Sequence, residues 1–197
     1  MVPLRVGLFG GTFDPPHLGH LVTAVNVRQV LKLDLVILMV ANDPWQKNET
    51  RDVACAADRL AMVRAAIRGV EGLVAGDDEI TRGGPSYTTD TLTTLSAKYP
   101  GAQLFTIVGD DAASKFGTWQ RASDIAKQST LVVVDRPGSP LVPPSEFVWN
   151  RVEVPRLEVS STDLRARFVD GRPLDYLIST GVLEVIADRG LYGMPKS

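Results

Sequence analysis

Residues 10–20 read Gly-Gly-Thr-Phe-Asp-Pro-Pro-His-Leu-Gly-His and decide the fold, because they join a strand pattern to a helix pattern. Residues 4–9 form a short apolar run that is typical of a strand. Residues 18–33 repeat apolar side chains every three or four positions, as in an amphipathic helix. The glycines let backbone N–H groups approach an anion, and the helix start adds the positive end of its dipole. The stretch therefore predicts a phosphate-binding turn between a strand and a helix.

Strand and helix patterns alternate along the rest of the chain. Further strands are predicted at residues 35–40, 73–80, 104–108, 131–134 and 152–154. Helices are predicted at residues 56–68, 88–98 and 119–128, with shorter ones opening at Ser160 and spanning 182–187. This alternation is typical of βαβ units around a parallel sheet. We expect an α/β fold of the Rossmann-like type, a three-layer sandwich around a mainly parallel sheet of five or six strands.

The length of 197 residues suits one α/β domain with a sizeable core. We expect residues 1–197 to form that single domain, with a small helical part from about residue 160. The proline-rich segment 135–146 predicts a surface excursion and not a domain boundary, because a strand pattern resumes at residue 152.

The net charge of −2 argues against a nucleic-acid-binding surface, since binding to a phosphate backbone usually requires a basic excess. No apolar run approaches the roughly 18 residues that span a bilayer, and the N-terminus lacks the pattern of a signal peptide. The lone cysteine, Cys55, cannot form an internal disulfide. We therefore expect a cytoplasmic protein that binds neither nucleic acid nor membranes.

The two histidines of the chain, His17 and His20, lie three residues apart at the predicted helix start and so face the same side. Imidazoles in this place can donate hydrogen bonds to phosphate oxygens and stabilise the charge that builds on a reacting phosphorus. No further histidine or nearby cysteine completes a zinc site, so we expect no metal bound directly by the protein. The glycine spacings of dinucleotide-binding and P-loop motifs are absent, which disfavours hydride transfer and P-loop hydrolysis.

Residues 10–20 resemble the G/T-x-F-D-P-x-H-x-G-H signature of the HIGH-type nucleotidyltransferase superfamily. The order of the remaining motifs is similar to that of bacterial nicotinate-mononucleotide adenylyltransferases over essentially the whole chain. The resemblance implies that the phosphate of nicotinate mononucleotide attacks the α-phosphorus of ATP, giving deamido-NAD and pyrophosphate. It also implies Mg²⁺ bound through the ATP phosphates. The signature alone does not select the acceptor, because pantetheine-phosphate and glycerol-phosphate transferases share it.

On this resemblance, His17 contacts the α-phosphate region of ATP and His20 contacts the phosphates further along. Residues 160–165, Ser-Ser-Thr-Asp-Leu-Arg, resemble the S-S-T-x-I/L-R motif of the superfamily, a cradle for terminal phosphates, although an ordinary helix cap is the alternative. Asp111 matches the family's G-x-D, whose Asp lies near the adenosine. The predicted ATP-binding residues are Gly10, Gly11, Thr12, Phe13, His17, His20, Gly109, Asp111, Ser160, Ser161, Thr162 and Arg165.

Residues 82–92 resemble the R-x-G-P-S-Y-T-x-D-T-L stretch of nicotinate-mononucleotide adenylyltransferases, in which the threonine that matches Thr88 helps to hold the nicotinate carboxylate. Trp119 matches a tryptophan that stacks on the pyridine ring, and Gln120 stands where the family often has tyrosine. A turn with a capped helix is the alternative for Thr88, and burial between a helix and the sheet is the alternative for Trp119.

Residues 44–47, Pro-Trp-Gln-Lys, resemble the family's P-x-H-K, with Gln46 in place of histidine. Lys47 would supply a positive charge to the triphosphate or to the phosphate of the mononucleotide, and Trp45 is either a lid residue or a packing residue. The predicted catalytic residues are His17, His20, Lys47 and Arg165. The predicted residues for nicotinate mononucleotide are Thr12, Lys47, Thr88, Trp119 and Gln120.

Two other kinds of function stay open at this point. The acceptor could be nicotinamide mononucleotide or phosphopantetheine, or the chain could be a non-catalytic nucleotide sensor. Retention of the four predicted catalytic residues argues against a sensor, since a sensor needs affinity and not contacts to a transition state. The expected partners are ATP and nicotinate mononucleotide, and a homo-oligomer is compatible with the sequence.

Overall fold

A computed structural model describes residues 2–43, 53–135, 142–155 and 157–195 of the chain. Within these ranges, six strands form one sheet in the order β3-β2-β1-β4-β5-β6, and every neighbouring pair is parallel. The strands are β1 (Arg5–Gly11), β2 (Leu35–Val40), β3 (Leu73–Gly76), β4 (Gln103–Gly109), β5 (Thr130–Asp135) and β6 (Trp149–Glu153). The predicted Rossmann-like α/β fold is confirmed, and its sheet is wholly parallel.

The strand order reverses between β1 and β4, because the chain first winds outward to β3 and then returns to the centre of the sheet. At such a reversal the connections leave the carboxyl ends of the two strands in opposite directions and open a crevice between them. This crevice is where ligands bind in open α/β sheets. The turn at residues 10–20 lies directly at it, since β1 ends at Gly11.

The helices are α1 (Leu18–Val30), α2 (Ala56–Ala66), α3 (Asp78–Arg82), α4 (Thr88–Lys98), α5 (Asp110–Ser114), α6 (Ala122–Gln128), α7 (Ser161–Asp170) and α8 (Thr180–Arg189). A 3-10 turn at Phe116–Thr118 separates α5 from α6. None of the helices within the described ranges is long and apolar enough to cross a membrane.

Both faces of the sheet are covered by helices, which makes three layers. On one face, Val36 and Leu38 pack with buried residues of α1, α2 and α8. On the other face, Ile37 and Met39 pack with buried residues of α4 and α6. Successive residues of a strand point to opposite faces, so a strand covered on both sides needs an uninterrupted apolar run. The sequence of β2 has such a run.

The predicted strand at residues 73–80 is wrong in its second half. β3 ends at Gly76, and α3 begins at Asp78. The residues that follow β3 are Asp77, Asp78 and Glu79, which are poor strand formers. Their negative charges instead favour a first helical turn, where the helix dipole is positive. The apolar Ile80 therefore belongs to a short helix and not to the sheet.

The predicted helix at residues 119–128 begins later, at Ala122. Trp119 has an extended backbone, and Arg121 lies in the left-handed region with φ of 57°, so the helix cannot continue back through them. The helix α5, which directly follows β4, was not predicted. The predicted surface excursion at residues 135–146 lies partly outside the described residues.

Candidate active site

Two adjacent cavities open at the carboxyl edge of β1 and β4. The tryptophan cavity, as we call the first, is lined by residues that include Thr12, Glu79, Ser86, Thr88 and Trp119. The histidine cavity is lined by residues that include His17, His20, Asp111, Ser160 and Ser161. The residues that line both are Phe9, Gly10, Gly11, Gly109 and Ala112. The ends of the two central strands thus form a common wall.

Glycines shape this common wall. A Cβ atom added at Gly10 or Gly109 would meet no heavy atom within 4 Å, so both residues face open space. A Cβ at Gly11 would lie 2.8 Å from the ring of Phe13, which is closer than two carbon atoms pack. The backbone of these strand ends is therefore open to a ligand from the cavity side, as the sequence predicts for a phosphate-binding turn.

His17 and His20 stack on each other at the start of α1, with ring centroids 3.7 Å apart and planes inclined by 26°. The backbone N–H of His17 donates a hydrogen bond of 3.1 Å to Nδ1 of His20. An Nδ1 atom that accepts a hydrogen bond carries no proton, so the proton of the neutral His20 ring lies on Nε2. This tautomer gives His20 a donor that suits a phosphate oxygen.

Small and aromatic neighbours fix the two histidines. Phe13 is buried, and its ring meets the ring of His20 edge-on at 5.0 Å between centroids. A Cβ at Gly19 would lie 3.0 Å from Nδ1 of His17, so the glycine leaves room for this imidazole. The side chain of Phe13 belongs to the packing beneath His20 and does not line either cavity within the described residues.

The predicted motif at residues 160–165 reaches the turn at residues 10–20 from the other side. Ser160 caps α7 by accepting a hydrogen bond of 3.2 Å from the N–H of Asp163, as the alternative reading of the motif expects. Ser161 donates to the carbonyl of Pro15 at 2.8 Å. The Nη1 atom of Arg165 donates to the carbonyl of Asp14 at 2.6 Å. The start of α7 is therefore joined to the turn by direct hydrogen bonds.

Thr162 and Arg165 do not line the histidine cavity, in contrast to Ser160 and Ser161. The Nη2 atom of Arg165 is held by the hydroxyl oxygen of Thr162 at 3.1 Å. Only 17% of the Arg165 side chain is exposed. The guanidinium is thus oriented by both the helix and the turn.

Asp14 is the centre of a buried polar network that the sequence analysis did not single out. Its side chain is completely buried, and it accepts hydrogen bonds from the hydroxyl of Tyr192 at 2.6 Å and from the N–H of Ala54 at 3.3 Å. Its Oδ2 atom lies 3.8 Å from Nη1 of Arg165. Burial and the hydrogen bond to Asp14 raise the pKa of Tyr192 well above its ordinary value.

Arg59 also holds the site together, but its role could not be predicted from the sequence, because an arginine on a helix is usually solvated. It is 2% exposed, and its pKa is lowered chiefly by burial, against the opposing effect of Asp14. Its guanidinium donates to four backbone carbonyls, at 2.7 to 3.1 Å. The acceptors are Thr12, Ala41, Asn42 and Ala54. Arg59 thereby joins the ends of β1 and β2 to the start of α2.

In the tryptophan cavity, Thr88 is the first residue of α4, and Tyr87 is the N-cap residue. The preceding loop is fixed to the end of β2, because Ser86 accepts a hydrogen bond of 2.8 Å from the N–H of Asn42. Asn42 also donates through its side chain to the carbonyl of Gly84 at 2.9 Å. The start of α4 is therefore held against the sheet edge.

Trp119 is half-buried, and it both packs and lines the cavity. Its ring lies 5.3 Å from that of Phe116 between centroids, and it also forms part of the cavity wall. Packing within the protein and contact with a ligand are thus compatible for Trp119. Gln120 is exposed and lies outside both linings. Lys47, Gln46 and Trp45 fall outside the described residues.

Among the described residues, no group of three or more His, Cys, Asp or Glu side chains is placed to hold a metal ion. Two carboxylates, Asp110 and Asp111, do line the histidine cavity. Asp110 is 6% exposed and accepts a hydrogen bond of 3.0 Å from the N–H of Asp111. This donor set suits a cation that is held mainly by phosphate oxygens of a ligand.

Comparisons with known proteins show the family to which the chain is related. Residues 8–167 match the family model described as cytidylyltransferase-like. A protein from Corynebacterium kroppenstedtii that carries the name probable nicotinate-nucleotide adenylyltransferase is 42% identical over 193 residues, which are 95% of this chain and 90% of that protein. A protein of the same name from Exiguobacterium sibiricum is 40% identical, over 96% of this chain and 99% of that protein.

The fold is also similar to that of a solved structure. The nicotinic acid mononucleotide adenylyltransferase of Plasmodium falciparum, complexed with NaAD, superposes with a TM-score of 0.79 over 98% of both chains, at 15% identity. At this identity, the likeness concerns the fold alone.

Proposed function

The chain belongs to the cytidylyltransferase-like family, and on this premise we propose that it is a nicotinate-nucleotide adenylyltransferase. It transfers AMP from ATP to nicotinate mononucleotide, which gives deamido-NAD and pyrophosphate, a step of NAD biosynthesis. In the reaction, an oxygen of the acceptor phosphate forms a bond to the α-phosphorus of ATP. The bond from that phosphorus to the pyrophosphate oxygen breaks.

The observation that carries the proposal is the common glycine wall of the two cavities. Three of the five residues that line both cavities are glycines, namely Gly10, Gly11 and Gly109, so two ligands can approach each other there beside mostly backbone atoms. A transfer between two nucleotides requires that their phosphates approach to about 3–3.5 Å in line. Side chains at Gly10 and Gly109, where an added Cβ faces open space, would occupy that space. The arrangement therefore supports ATP in the histidine cavity and the mononucleotide in the tryptophan cavity.

On the ATP side, we assign His17 to the α-phosphate and His20 to the phosphates further along. Nε2 of His20 carries a proton for donation, as its hydrogen bond from the N–H of His17 requires. Ser160 and Ser161 present polar groups at the start of α7, where the positive end of the helix dipole favours terminal phosphates. Arg165 adds a fixed positive charge behind them. Catalysis then rests on positioning and on stabilisation of developing charge.

On the acceptor side, we assign the N–H and hydroxyl groups at Thr88 to the nicotinate carboxylate and the face of Trp119 to the pyridine ring. A free helix start suits an anion, and an indole face suits a flat ring. Thr12 lines the same cavity. The roles of Lys47 and of the main chain at Gln120 stay predictions from the sequence.

The family's reaction uses a divalent cation, and we propose Mg²⁺ carried by the ATP phosphates. When bound, the ion neutralises phosphate charge during the transfer. Asp110 and Asp111 are the residues placed to approach it, as their position in the histidine cavity fits. We further propose that residues 1–197 act as one domain, and that the reaction takes place in the cytoplasm, where ATP is abundant.

Pyrophosphate release tests the function directly. It is to be measured from Mg-ATP with nicotinate mononucleotide, nicotinamide mononucleotide and phosphopantetheine in parallel, at equal concentrations. We expect the highest kcat/KM with nicotinate mononucleotide. Equal or absent turnover with this acceptor contradicts the proposal. Binding of ATP without turnover of any acceptor would instead identify the nucleotide sensor.

A further inference from the structure

Glu79 is a buried acidic residue that the proposed chemistry does not use. It lies in α3, is 6% exposed, and lines the tryptophan cavity together with Thr88 and Trp119. Its Oε1 atom accepts a hydrogen bond of 2.7 Å from the hydroxyl of Thr91, which is 0% exposed. No residue that the structure describes forms an ion pair with Glu79. The carboxylate of Glu79 therefore accepts one hydrogen bond from a hydroxyl group, and the residue forms part of the cavity wall.

Such an arrangement is costly for a protein without a ligand. A carboxylate that leaves water loses several kcal/mol of solvation, and a single neutral hydroxyl replaces only part of it. Buried charges are usually paired with an opposite charge. Since none of the described residues supplies such a charge to Glu79, a cationic group of the ligand that fills the cavity is a suitable partner.

The proposed acceptor has a group of this kind. In a pyridine mononucleotide, the ring nitrogen is bonded to ribose, so the ring is a pyridinium with a fixed positive charge at every pH. We propose that Glu79 is a specificity-determining residue, whose carboxylate stabilises the pyridinium cation of the acceptor in the tryptophan cavity. This inference rests on the proposed function, because it requires a pyridine mononucleotide in that cavity.

Two further features of the cavity agree with a cationic ring. The face of Trp119 attracts cations through its electron-rich ring, so the indole and the carboxylate act in the same direction. The carboxylate of Glu79 is also fixed in place, because Thr91, one helical turn beyond Thr88 in α4, donates a hydrogen bond to it. An acceptor without a positive charge, such as phosphopantetheine, gains nothing from Glu79.

A charge-specific test is available because glutamine keeps the shape of glutamate. In Glu79→Gln, the amide oxygen still accepts from Thr91, while the negative charge is lost. The matched control is Asp78→Asn, the same change in the neighbouring residue of α3, whose carboxylate pairs with the half-exposed Lys98 and does not line the tryptophan cavity. The probes are nicotinamide mononucleotide and its 1,4-dihydro form, which differ in that the dihydro ring is neutral. Affinities are measured by calorimetry without ATP, and kcat/KM by pyrophosphate release.

We expect Glu79→Gln to weaken binding of the pyridinium form about tenfold or more, a change of about 1.4 kcal/mol. Binding of the dihydro form should change less than twofold, and the kcat/KM values should follow the same ratio. Asp78→Asn should leave all values within twofold. An equal loss for both forms would show a structural role, and no loss for either would show no role, so both results overturn the inference.

The two proposals fail in different ways. Turnover of nicotinate mononucleotide by the unchanged chain decides the proposed function, whereas the ratio of the two affinities decides the role of Glu79. If Glu79→Gln does not fold, as circular dichroism would show, the unchanged chain still gives a test. It should bind the pyridinium form at least tenfold more tightly than the dihydro form, and equal affinities would overturn the inference.

Discussion

The hydroxyl of Tyr192 donates a hydrogen bond of 2.6 Å to the carboxylate of Asp14, although 178 residues separate the two in the chain. Asp14 lies in the turn at the end of β1, and Tyr192 follows the last helix, α8. The contact therefore fastens the C-terminal part of the chain to the phosphate-binding turn. An ion pair between Arg189 and Asp58 joins α8 to α2 in the same region.

Removal of this hydroxyl should destabilise the fold. Tyr192→Phe leaves the buried carboxylate of Asp14 without one of its donors, which typically costs about 1–3 kcal/mol. Urea unfolding should show the decrease at pH 7. The control is Tyr176→Phe, since Tyr176 is 90% exposed and its hydroxyl lies at the surface. A Tyr192→Phe protein as stable as the control would contradict the role given to this contact.

Stability should also fall at alkaline pH. The pKa of Tyr192 is raised in the folded state, first by burial and then by the bond to Asp14. The unfolded chain therefore releases this proton near pH 10, while the folded chain keeps it. The contribution of Tyr192 is thus complete below pH 10 and is lost as the pH rises further. Unfolding free energies from pH 8 to 11.5 should fall more steeply for the unchanged chain than for Tyr192→Phe. Parallel curves would count against the prediction.

Arg59 should be among the most sensitive positions. Arg59→Met removes the donor to four backbone carbonyls around the turn and the ends of β1 and β2. Breaking a buried charged network of this type typically costs about 3–5 kcal/mol, so we expect a large drop in Tm. The control is Arg64→Met on the same helix, where a half-exposed ion pair with Asp77 contributes about 1 kcal/mol or less. A similar decrease in Tm for Arg59→Met and Arg64→Met would contradict this prediction.

His17→Ala should lower kcat by about 10² or more, as loss of a preorganised donor to a transition state does. The measurement is steady-state pyrophosphate release at saturating ATP and nicotinate mononucleotide. Circular dichroism and Tm check that the fold is kept. A decrease of less than tenfold in a folded protein would mean that His17 does not have the proposed role.

Gly19→Ala should lower the turnover number without lowering the thermal stability of the protein. Alanine is in general a better helix former than glycine, but at this second residue of α1 its Cβ would lie 3.0 Å from the His17 ring and 3.1 Å from Val159. We expect a Tm that is unchanged or higher, with kcat lowered about tenfold as the imidazole is displaced. The control is Gly117→Ala, whose Cβ meets its nearest atom at an ordinary 3.5 Å. Full turnover in Gly19→Ala would show that the His17 position tolerates the shift.

Features that lie within short segments of the chain were predictable from the sequence. The fold was predictable because apolar periodicity and glycine turns are properties of short segments, as in β2 and the turn at residues 10–20. His17, His20 and Ser160 were predictable as cavity residues because they belong to short motifs. Glu79 was missed because residues 73–80 were predicted as one strand. In the structure it lies in the short helix α3, which brings it to the cavity.

Arg59 and Tyr192 were missed for a different reason. Their side chains stabilise the structure through hydrogen bonds to residues far along the chain, namely to the carbonyl of Thr12 and to the carboxylate of Asp14. A single arginine on a helix or a tyrosine near a terminus has no pattern that distinguishes it from a solvated residue. Contacts of this range appear only when the sheet and its helices are assembled.

The wall that the two cavities share also affects the release of the product after the transfer. On the proposed assignment of ATP and the mononucleotide to the two cavities, the dinucleotide product spans both at once, across a shared wall in which Gly10, Gly11 and Gly109 have no side chain. Neither starting nucleotide can enter until it leaves. The product is therefore a competitor of ATP and of the mononucleotide at the same time, and its accumulation slows its own synthesis.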